Sequence, residues 1–261
     1  MPKLRYFQVD AFTSQLFHGN PAGVCILEEW LPDDLMQRIA FENNLAETAF
    51  LVPRGDLFEL RWFTPKLEID LCGHATVASA FIIFSQLAWK NPVIEFESKS
   101  GLLKVARIGE DLLELDFPSR PGERASIPAG LAEGLGQRPR EVLKARDWLA
   151  LFESEQDVRE IKPNFDTLAS LPGGKVIVTA RGSDVDFVSR FFAPGAGVNE
   201  DPVTGSAHCT LIPFWSERLG KRKLHARQVS ARGGELFCED RGERVGIAGR
   251  AVLYSAGHLH V

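Results

Sequence analysis

One acidic side chain stands in an otherwise apolar segment, where it could act as a general acid or base. Glu47 is the only ionisable residue between positions 44 and 53. Side chains alternate between the two faces of a strand, so Glu47 shares its face with Leu45, Ala49 and Leu51. A carboxylate in apolar surroundings can both take and give protons near neutral pH. The alternative is a strand edge from which Glu47 points to water, and the local sequence leaves both interpretations open.

Two glycines precede apolar stretches that predict buried helices. Gly73 is followed by residues 74–86 and Gly205 by residues 206–219, and a helix that is apolar on nearly every side must be buried. We predict that Pro213 kinks the second helix or confines it to one side of the proline. Helix N-termini carry unpaired N–H groups and the positive end of the helix dipole, so they attract carboxylates. Two such ends facing one cleft would bind an anionic small molecule, although close packing explains either glycine alone.

Three polar residues lie beside these helix starts. His74 could be an acid, a base or a hydrogen-bond donor. Asp201 and Ser206 could contact a substrate at the start of the second helix. Each of the three has a simpler alternative role, because each could instead cap a backbone group at the helix end.

Cysteine and histidine near both helix starts raise the question of a metal. One residue separates Cys72 from His74, and His208 and Cys209 are adjacent. Zinc ligands within one segment are usually separated by two to four residues, so we expect no metal site. The sequence also has no P-loop and no G-x-G-x-x-G fingerprint, and we expect no cofactor.

The elements that must position these residues occur twice. The tripeptide at 63–65 (FTP) precedes Gly73, and the tripeptide at 192–194 (FAP) precedes Gly205; the two glycines lie 132 residues apart. A second pair of similar segments places Gly101 and Gly234 133 residues apart. Two offsets that nearly agree, each about half the chain, indicate a duplication, with chance similarity as the alternative. We predict two domains, residues 1–119 and 120–261.

The first half reads as short strands around one apolar helix. A surface helix is predicted over 33–41, and the proline- and glycine-rich stretch 118–128 is the predicted linker. Apolar and alternating segments predict the strands. These segments are 6–11, 24–27, 48–52, 58–63, 93–97, 102–107 and 112–117.

Composition excludes several classes of function. With 44% hydrophobic and 25% charged residues, the chain has the profile of a globular protein. A net charge of −5 without a basic cluster argues against nucleic acid as a partner. No apolar run is long enough to span a bilayer, and the N-terminus lacks a signal peptide. Four widely spaced cysteines are typical of a reduced cytoplasm rather than a disulfide framework.

The chain resembles the phenazine-biosynthesis PhzF-like family, whose fold is that of diaminopimelate epimerase. The resemblance covers nearly the whole chain, and several motifs in the same order make it specific; residues 120–171 carry least of it. The motifs are DAFT (10–13), FHGNPA (17–22), LAETAF (45–50), RWFTP (61–65), DLCGHAT (70–76), NEDPVTGSA (199–207) and QVSARGG (228–234).

This resemblance implies an α+β fold of two similar domains related by a pseudo-twofold axis. Each domain would be a small β-barrel wrapped around a central α-helix, and the two would face each other across the active-site cleft. The family's acid/base glutamate falls on Glu47. Its substrate-contacting residues fall on His74, Asp201 and Ser206, and the backbone N–H groups of Gly73 and Gly205 would hold a substrate carboxylate or oxygen.

The family reaction moves a proton around the ring of a dihydro-hydroxyanthranilate without a cofactor. The resemblance therefore implies a cofactor-independent isomerase, a small anionic substrate and a homodimer. Epimerases of this fold use two opposed cysteines, one at each helix start. Here Cys72 precedes Gly73 but Thr204 precedes Gly205, which disfavours a two-thiol racemase.

Two other functions remain open from the sequence. A thiol paired with a hydroxyl could support a thiol-dependent dehydratase or epimerase of an amino or hydroxy acid, although Cys72 could also be only a small buried hydrophobe. A non-catalytic metabolite-binding protein is the alternative of another class. Such a protein has no need for an acid/base such as Glu47 in an apolar strand.

Overall fold

The computed structural model describes residues 3–87 and 89–261 and divides the chain into two units. The first unit runs through Asp116 and also includes Ala248–Val261; the second is Phe117–Ile247. The predicted boundary between residues 119 and 120 differs from this division in one respect, because it assigned the end of the chain to the second domain. The physical reason is strand pairing. The last strand lies antiparallel to the first along its whole length, from Lys3 opposite His260 to Ala11 opposite Ala251.

The first unit contains nine strands and two helices among its described residues. They are β1 (Lys3–Ala11), β2 (Asn20–Ile26), α1 (Asp33–Asn43), β3 (Glu47–Arg54), β4 (Leu57–Phe63), β5 (Glu68–Ile69), α2 (Gly73–Gln86), β6 (Val93–Ser98), β7 (Gly101–Ile108), β8 (Leu112–Pro118) and β18 (Ala251–His260). All seven strands predicted for the first half are present, and β2 and β3 begin earlier than predicted, at Asn20 and Glu47.

Strand pairing in the first unit follows a simple plan. The order is β18-β1-β2-β3-β4-β6-β7-β8, and the pairs β2–β3 and β4–β6 are parallel. A parallel pair needs a crossover connection, and the two helices supply it: α1 connects β2 to β3, and α2 lies between β4 and β6. Each of the two parallel pairs in the sheet is therefore joined by a connection that contains a helix.

Helix α2 is the centre of the first unit. It contacts β1, β2, β3, β7 and β18, and it is buried through most of its length. Its apolar residues Val77, Ile82 and Ile83 are fully buried. Two polar residues in the same helix find hydrogen-bond partners within it, because the hydroxyls of Thr76 and Ser79 donate to carbonyls four residues earlier. A helix of this composition is stable only inside the sheet that surrounds it.

The second unit has its own strands and helices. They are β9 (Glu123–Ala125), α3 (Leu131–Leu135), β10 (Glu141–Lys144), β11 (Trp148–Leu151), α4 (Glu155–Glu160), α5 (Phe165–Ala169), β12 (Val176–Arg181), β13 (Phe187–Ala193), a short 3-10 helix (Pro194–Ala196), β14 (Val198–Asp201), α6 (Gly205–Leu219), β15 (Lys223–Gln228), β16 (Gly234–Asp240) and β17 (Arg244–Gly249). The predicted linker 118–128 thus contains a strand, β9, which pairs with β10.

The second unit repeats the pairing plan of the first. Strands β10 to β13 pair antiparallel, parallel and antiparallel, as β1 to β4 do. Strand β13 pairs parallel with β15, as β4 pairs with β6, and α6 precedes β15 as α2 precedes β6. The predicted α+β fold of two similar domains is confirmed. The pseudo-twofold relation between the halves stays a prediction.

Helix α6 continues through Pro213, so the expectation that the proline confines the helix to one side is wrong. Proline has no N–H, and residue 213 would otherwise donate to the carbonyl of Cys209. That carbonyl instead accepts a hydrogen bond of 2.9 Å from the backbone N–H of Arg120. A segment outside the helix thus replaces the missing donor, so the helix continues past the proline without leaving that carbonyl unpaired.

No helix among the described residues is long and apolar enough to cross a membrane. The observation concerns residues 3–87 and 89–261.

His208 in α6 predicts how stability depends on pH. Its Nδ1 lies 2.8 Å from the carbonyl oxygen of Thr204, and burial lowers the pKa of the ring from 6.5 to about 4. The folded state therefore binds fewer protons than the unfolded state between these pH values, so stability falls as pH falls from 6.5 to 4. We expect His208→Asn, whose amide can still donate to Thr204, to flatten that slope by up to about 1.4 kcal/mol per pH unit.

Urea unfolding at a series of pH values between 4 and 8 measures this slope. The matched control is His258→Asn, at an exposed position of β18, which should keep the wild-type profile. Equal slopes for the wild type and His208→Asn would contradict the assignment.

Candidate active site

The first unit brings three chain segments together at the start of α2. Glu47 is the first residue of β3 and lies opposite Ala22 of the parallel strand β2. His74 is the second residue of α2, and Cys72 precedes that helix. Asn20 opens β2. Two adjacent parallel strands and one helix start therefore converge, and each contributes a polar side chain.

Glu47 and His74 form a buried pair. Oε2 of Glu47 lies 3.1 Å from Nε2 of His74, and the two side chains are only 14% and 6% exposed. Neither atom has a hydrogen-bond partner among the described residues, so the contact between them is one of charge. Because a buried carboxylate without a partner is costly, the imidazole is what makes this position tenable for Glu47. The interpretation that Glu47 simply points to water is wrong.

The other ring nitrogen of His74 has two neighbours. Nδ1 lies 3.1 Å from Nδ2 of Asn20 and 3.5 Å from Sγ of Cys72. The carboxamide of Asn20 offers a donor at one end and an acceptor at the other. Either protonation state of the ring can therefore find a partner in one of the two orientations of that carboxamide.

Charge in this group is set by burial and by the Glu47 carboxylate. Burial and the nearby carboxylate raise the pKa of Cys72 to about 11, so the thiol is protonated at neutral pH. Burial opposes the charged form of His74, but the neighbouring Cys72 and Glu47 raise its pKa well above 6.5 overall. Because the thiol is neutral at that pH, the charge that stabilises the imidazolium is that of Glu47.

Glu47, Cys72 and His74 also present three atoms that metals bind. One oxygen, one sulfur and one nitrogen lie within 4.8 Å of one another. The expectation of no metal was based on ligand spacing along the sequence, and such spacing cannot show that Glu47 lies close to Cys72 and His74 in space. The expectation of no metal stays a prediction. A metal here would have to displace both the thiol proton and the carboxylate–imidazole contact.

Both central helices begin without a side-chain cap from the residue before them. Cys72 precedes α2 and Thr204 precedes α6, each in extended conformation, and neither side chain bonds its own helix start. The first N–H groups of a helix need partners. Gly73 and Gly205 are the first residues of these helices, as predicted, so their ends are suited to an anionic ligand.

The second unit holds Asp201 in a separate hydrogen-bonded loop. The hydroxyl of Thr204 donates to Oδ2 of Asp201 at 2.5 Å. Gln228 ties this loop down from β15, because its amide donates to the Asp201 carbonyl and its oxygen accepts from the Thr204 backbone. Asp201 is therefore held in place before the helix starts.

Ser206 contacts a residue that the sequence analysis did not predict. Nη2 of Arg146, in the turn between β10 and β11, donates to Oγ of Ser206 at 2.9 Å. Nε and Nη2 of the same guanidinium bond the buried carboxylate of Asp147. Arg146 lies in the part of the chain with the weakest family resemblance, which gave no signal for it. Asn20 and Gln228, by contrast, lie in the quoted motifs and could have been found there.

The predicted site residues thus fall into two groups. Glu47 and His74 lie together with Gly73 in the first unit, and Asp201, Ser206 and Gly205 lie around the start of α6 in the second. That all of them line one cleft stays a prediction.

Comparison with known proteins places the chain in a family. The sequence profile described as "Phenazine biosynthesis-like protein" matches residues 9–257. An "uncharacterized isomerase" of Pseudomonas aeruginosa is 53% identical over 260 residues, covering 99% of each chain. The human "phenazine biosynthesis-like domain-containing protein" is 40% identical and covers 98% of this chain and 99% of its own.

Solved structures agree with the sequence comparison. The crystal structure of a PhzF family protein from Enterococcus faecalis has a TM-score of 0.98 and 47% identity, and each chain is covered completely. A hydroxyproline epimerase from Agrobacterium vitis has a TM-score of 0.64 and covers 99% of this chain and 91% of its own. At 12% identity, that similarity shows the fold alone. The chain therefore belongs to the phenazine biosynthesis-like, or PhzF-like, family, and it is an isomerase of that family.

Proposed function

We propose that this isomerase moves a proton within a small, carboxylate-bearing cyclic metabolite, without a cofactor, and that Glu47 is its general acid and base. The observation that supports this role most directly is the buried contact of 3.1 Å between Oε2 of Glu47 and Nε2 of His74. A carboxylate held against an imidazole, away from bulk water, is suited to accept a proton and return it.

The proposed reaction has two proton transfers. Glu47 removes a proton from a carbon next to a carbonyl or unsaturated group, and the electron pair of that C–H bond moves into the conjugated system. The protonated Glu47 then gives the same proton to another carbon. Atoms and electrons are only rearranged, so no oxidant or reductant is consumed. Since Oε2 is buried against His74, the proposal assigns the transfer to Oε1.

Negative charge develops on the substrate between the two transfers, and it needs partners. We assign this role to the first N–H groups of α2 and α6, at Gly73 and Gly205, because neither helix has a side-chain cap from its preceding residue. His74, Asp201 and Ser206 are assigned the orientation of the substrate. The proposal also includes a homodimer and the cytoplasm, which the family resemblance and the four free cysteines favour.

The thiol-dependent alternative receives less support. A thiol acts as a base or nucleophile in its ionised form, and a pKa of about 11 leaves Cys72 protonated at neutral pH. The residue at the same position before α6 is Thr204, so the second helix start offers no thiol to act together with Cys72. A non-catalytic binding protein would leave the buried Glu47–His74 pair without a purpose, because such a pair contributes little to stability.

Glu47→Gln tests the proposed base. Glutamine keeps the size and the hydrogen bonding of the side chain but cannot transfer a proton. We expect turnover to fall about 10²- to 10⁴-fold while substrate affinity changes little. The assay follows deuterium uptake from heavy water into a panel of cyclic amino and hydroxy acids by mass spectrometry.

The matched control for that variant is Glu59→Gln, a carboxylate on β4 that pairs with Arg54 and Trp30. Its activity should remain near that of the wild type. Full deuterium exchange by Glu47→Gln would rule out Glu47 as the base.

Cys72→Ser separates the isomerase from the thiol-dependent alternative. Serine keeps a small polar group beside His74 but lacks a thiol, so we expect activity within about threefold of the wild type, since no thiolate takes part. The same deuterium assay provides the measurement. A large loss in Cys72→Ser together with an active Glu47→Gln would favour the dehydratase.

The protonation state of His74 can be tested without a substrate. We expect nitrogen NMR to find the imidazole protonated at pH 7, because the Glu47 carboxylate raises its pKa. In Glu47→Gln the pKa of His74 should fall, because the carboxylate charge that opposes the effect of burial is lost. Glu59→Gln is the control and should leave the titration nearly unchanged, because Glu59 contacts Arg54 and Trp30 rather than His74. A neutral His74 in the wild type at pH 7 would contradict the ion pair.

A further inference from the structure

Arg146 occupies an unusual position in the second unit. It lies in the short turn between β10 and β11, and its side chain reaches the second residue of the central helix α6. Its neighbour Asp147 is buried, with only 5% of its side chain exposed, whereas the side chain of Arg146 is 41% exposed. A buried carboxylate thus holds one edge of a guanidinium whose other edge is accessible.

The hydrogen bonds of Arg146 leave a defined part of the guanidinium open. Nε donates to Asp147, and Nη2 donates to Asp147 at 3.1 Å and to Ser206 at 2.9 Å. A guanidinium has five N–H groups, so both N–H groups of Nη1 remain without a partner among the described residues. Arginine can only donate, so Oγ of Ser206 must accept, and the hydroxyl proton of Ser206 stays free to donate elsewhere.

We propose that Arg146 is a substrate-recognition residue, and that Nη1 of Arg146 and the hydroxyl of Ser206 together bind a carboxylate of the substrate. Arginine is suited to this task, because its planar fork binds the two oxygens of a carboxylate side by side. Asp147 and Ser206 fix the orientation of the fork before a ligand arrives. That arrangement lowers the entropic cost of binding.

The charge around the first turns of α6 is also suited to an anion. Asp147 offsets the positive charge of Arg146, but Arg120 adds a second positive charge. The backbone N–H of Arg120 donates to the Cys209 carbonyl of α6, and its half-buried side chain has no partner among the described residues. Burial raises the pKa of the Cys209 thiol, and the charges of Arg120 and Arg146 act in the opposite direction. Both guanidinium groups therefore act on the same turn of the helix.

This inference rests on the proposed function, because it takes the bound carboxylate to belong to the isomerised molecule. It adds that the acid group of that molecule is recognised by a side-chain charge as well as by a helix end. The inference thus predicts a substrate that is a ring compound with a free carboxylate. An ester or amide of the same compound should be a poor ligand.

The experiment compares benzoate, a planar ring acid, with benzamide, its uncharged isostere, by ligand-observed NMR titration of the full chain. We expect the wild type to bind benzoate at least tenfold more tightly than benzamide. Arg146→Gln should weaken benzoate about 10- to 100-fold and leave benzamide unchanged, because only a charge-assisted hydrogen bond is lost. Arg146→Lys keeps the charge and should retain part of the preference.

Arg140→Gln is the matched control, since Arg140 forms an exposed pair with Glu153 in the same unit. It should bind both ligands as the wild type does. A purely structural Arg146 would instead weaken both ligands equally. That result, or a wild type that binds neither ligand or does not prefer the acid, would overturn the proposal. Glu47→Gln keeps the benzoate preference if the recognition role is correct, so failure of the proton-transfer mechanism is recorded separately by the deuterium assay.

Discussion

A carboxylate and an imidazole, whose facing atoms are buried and lie 3.1 Å apart, impose the main physical constraint on the first unit. Each group is costly to bury alone, and each is the other's only partner at that contact among the described residues. They come from elements far apart in the chain, the start of β3 and the start of α2. The sheet around α2 must therefore be closely packed enough to hold two independent segments in register, and the fully buried apolar residues of α2 supply that packing.

The duplicated plan provides two similar helix starts, but the two units differ in chemistry. Strand β3 pairs Thr48 with Phe63, and β12 pairs Val176 with Phe192. The residue that corresponds to Glu47 is thus Lys175. The proposed acid/base residue therefore has a counterpart of opposite charge in the second unit, and that unit carries the arginine and hydroxyl of the proposed carboxylate site. Two units with the same pairing plan thus carry different side chains, so the chemistry of each must be argued from its own residues and not from the fold.

Helix α6 shows how one local irregularity can depend on a distant segment. Pro213 leaves the Cys209 carbonyl without its usual donor, and the backbone of Arg120 provides one. The same hydrogen bond holds Arg120 beside the first turns of the helix. Pro213, which is unfavourable for an isolated helix, is therefore accommodated. The same contact fixes the backbone of Arg120 beside α6, next to the proposed anion site.

The sequence by itself determined the repeated plan, the two buried helices and their first residues, because these follow from apolar periodicity and from glycine at fixed offsets. The α+β class followed from the resemblance to the PhzF-like family. It also singled out Glu47, because an isolated charge in an apolar strand needs an explanation. Only the tertiary structure decided which groups meet. Glu47 and His74 lie 27 positions apart in the chain, and Arg146 and Ser206 lie 60 apart. The strand pairing that places the end of the chain in the first unit joins residues 240 to 257 positions apart, from Ala11 with Ala251 to Lys3 with His260. Such contacts depend on strand order and packing, which no local pattern of residues encodes.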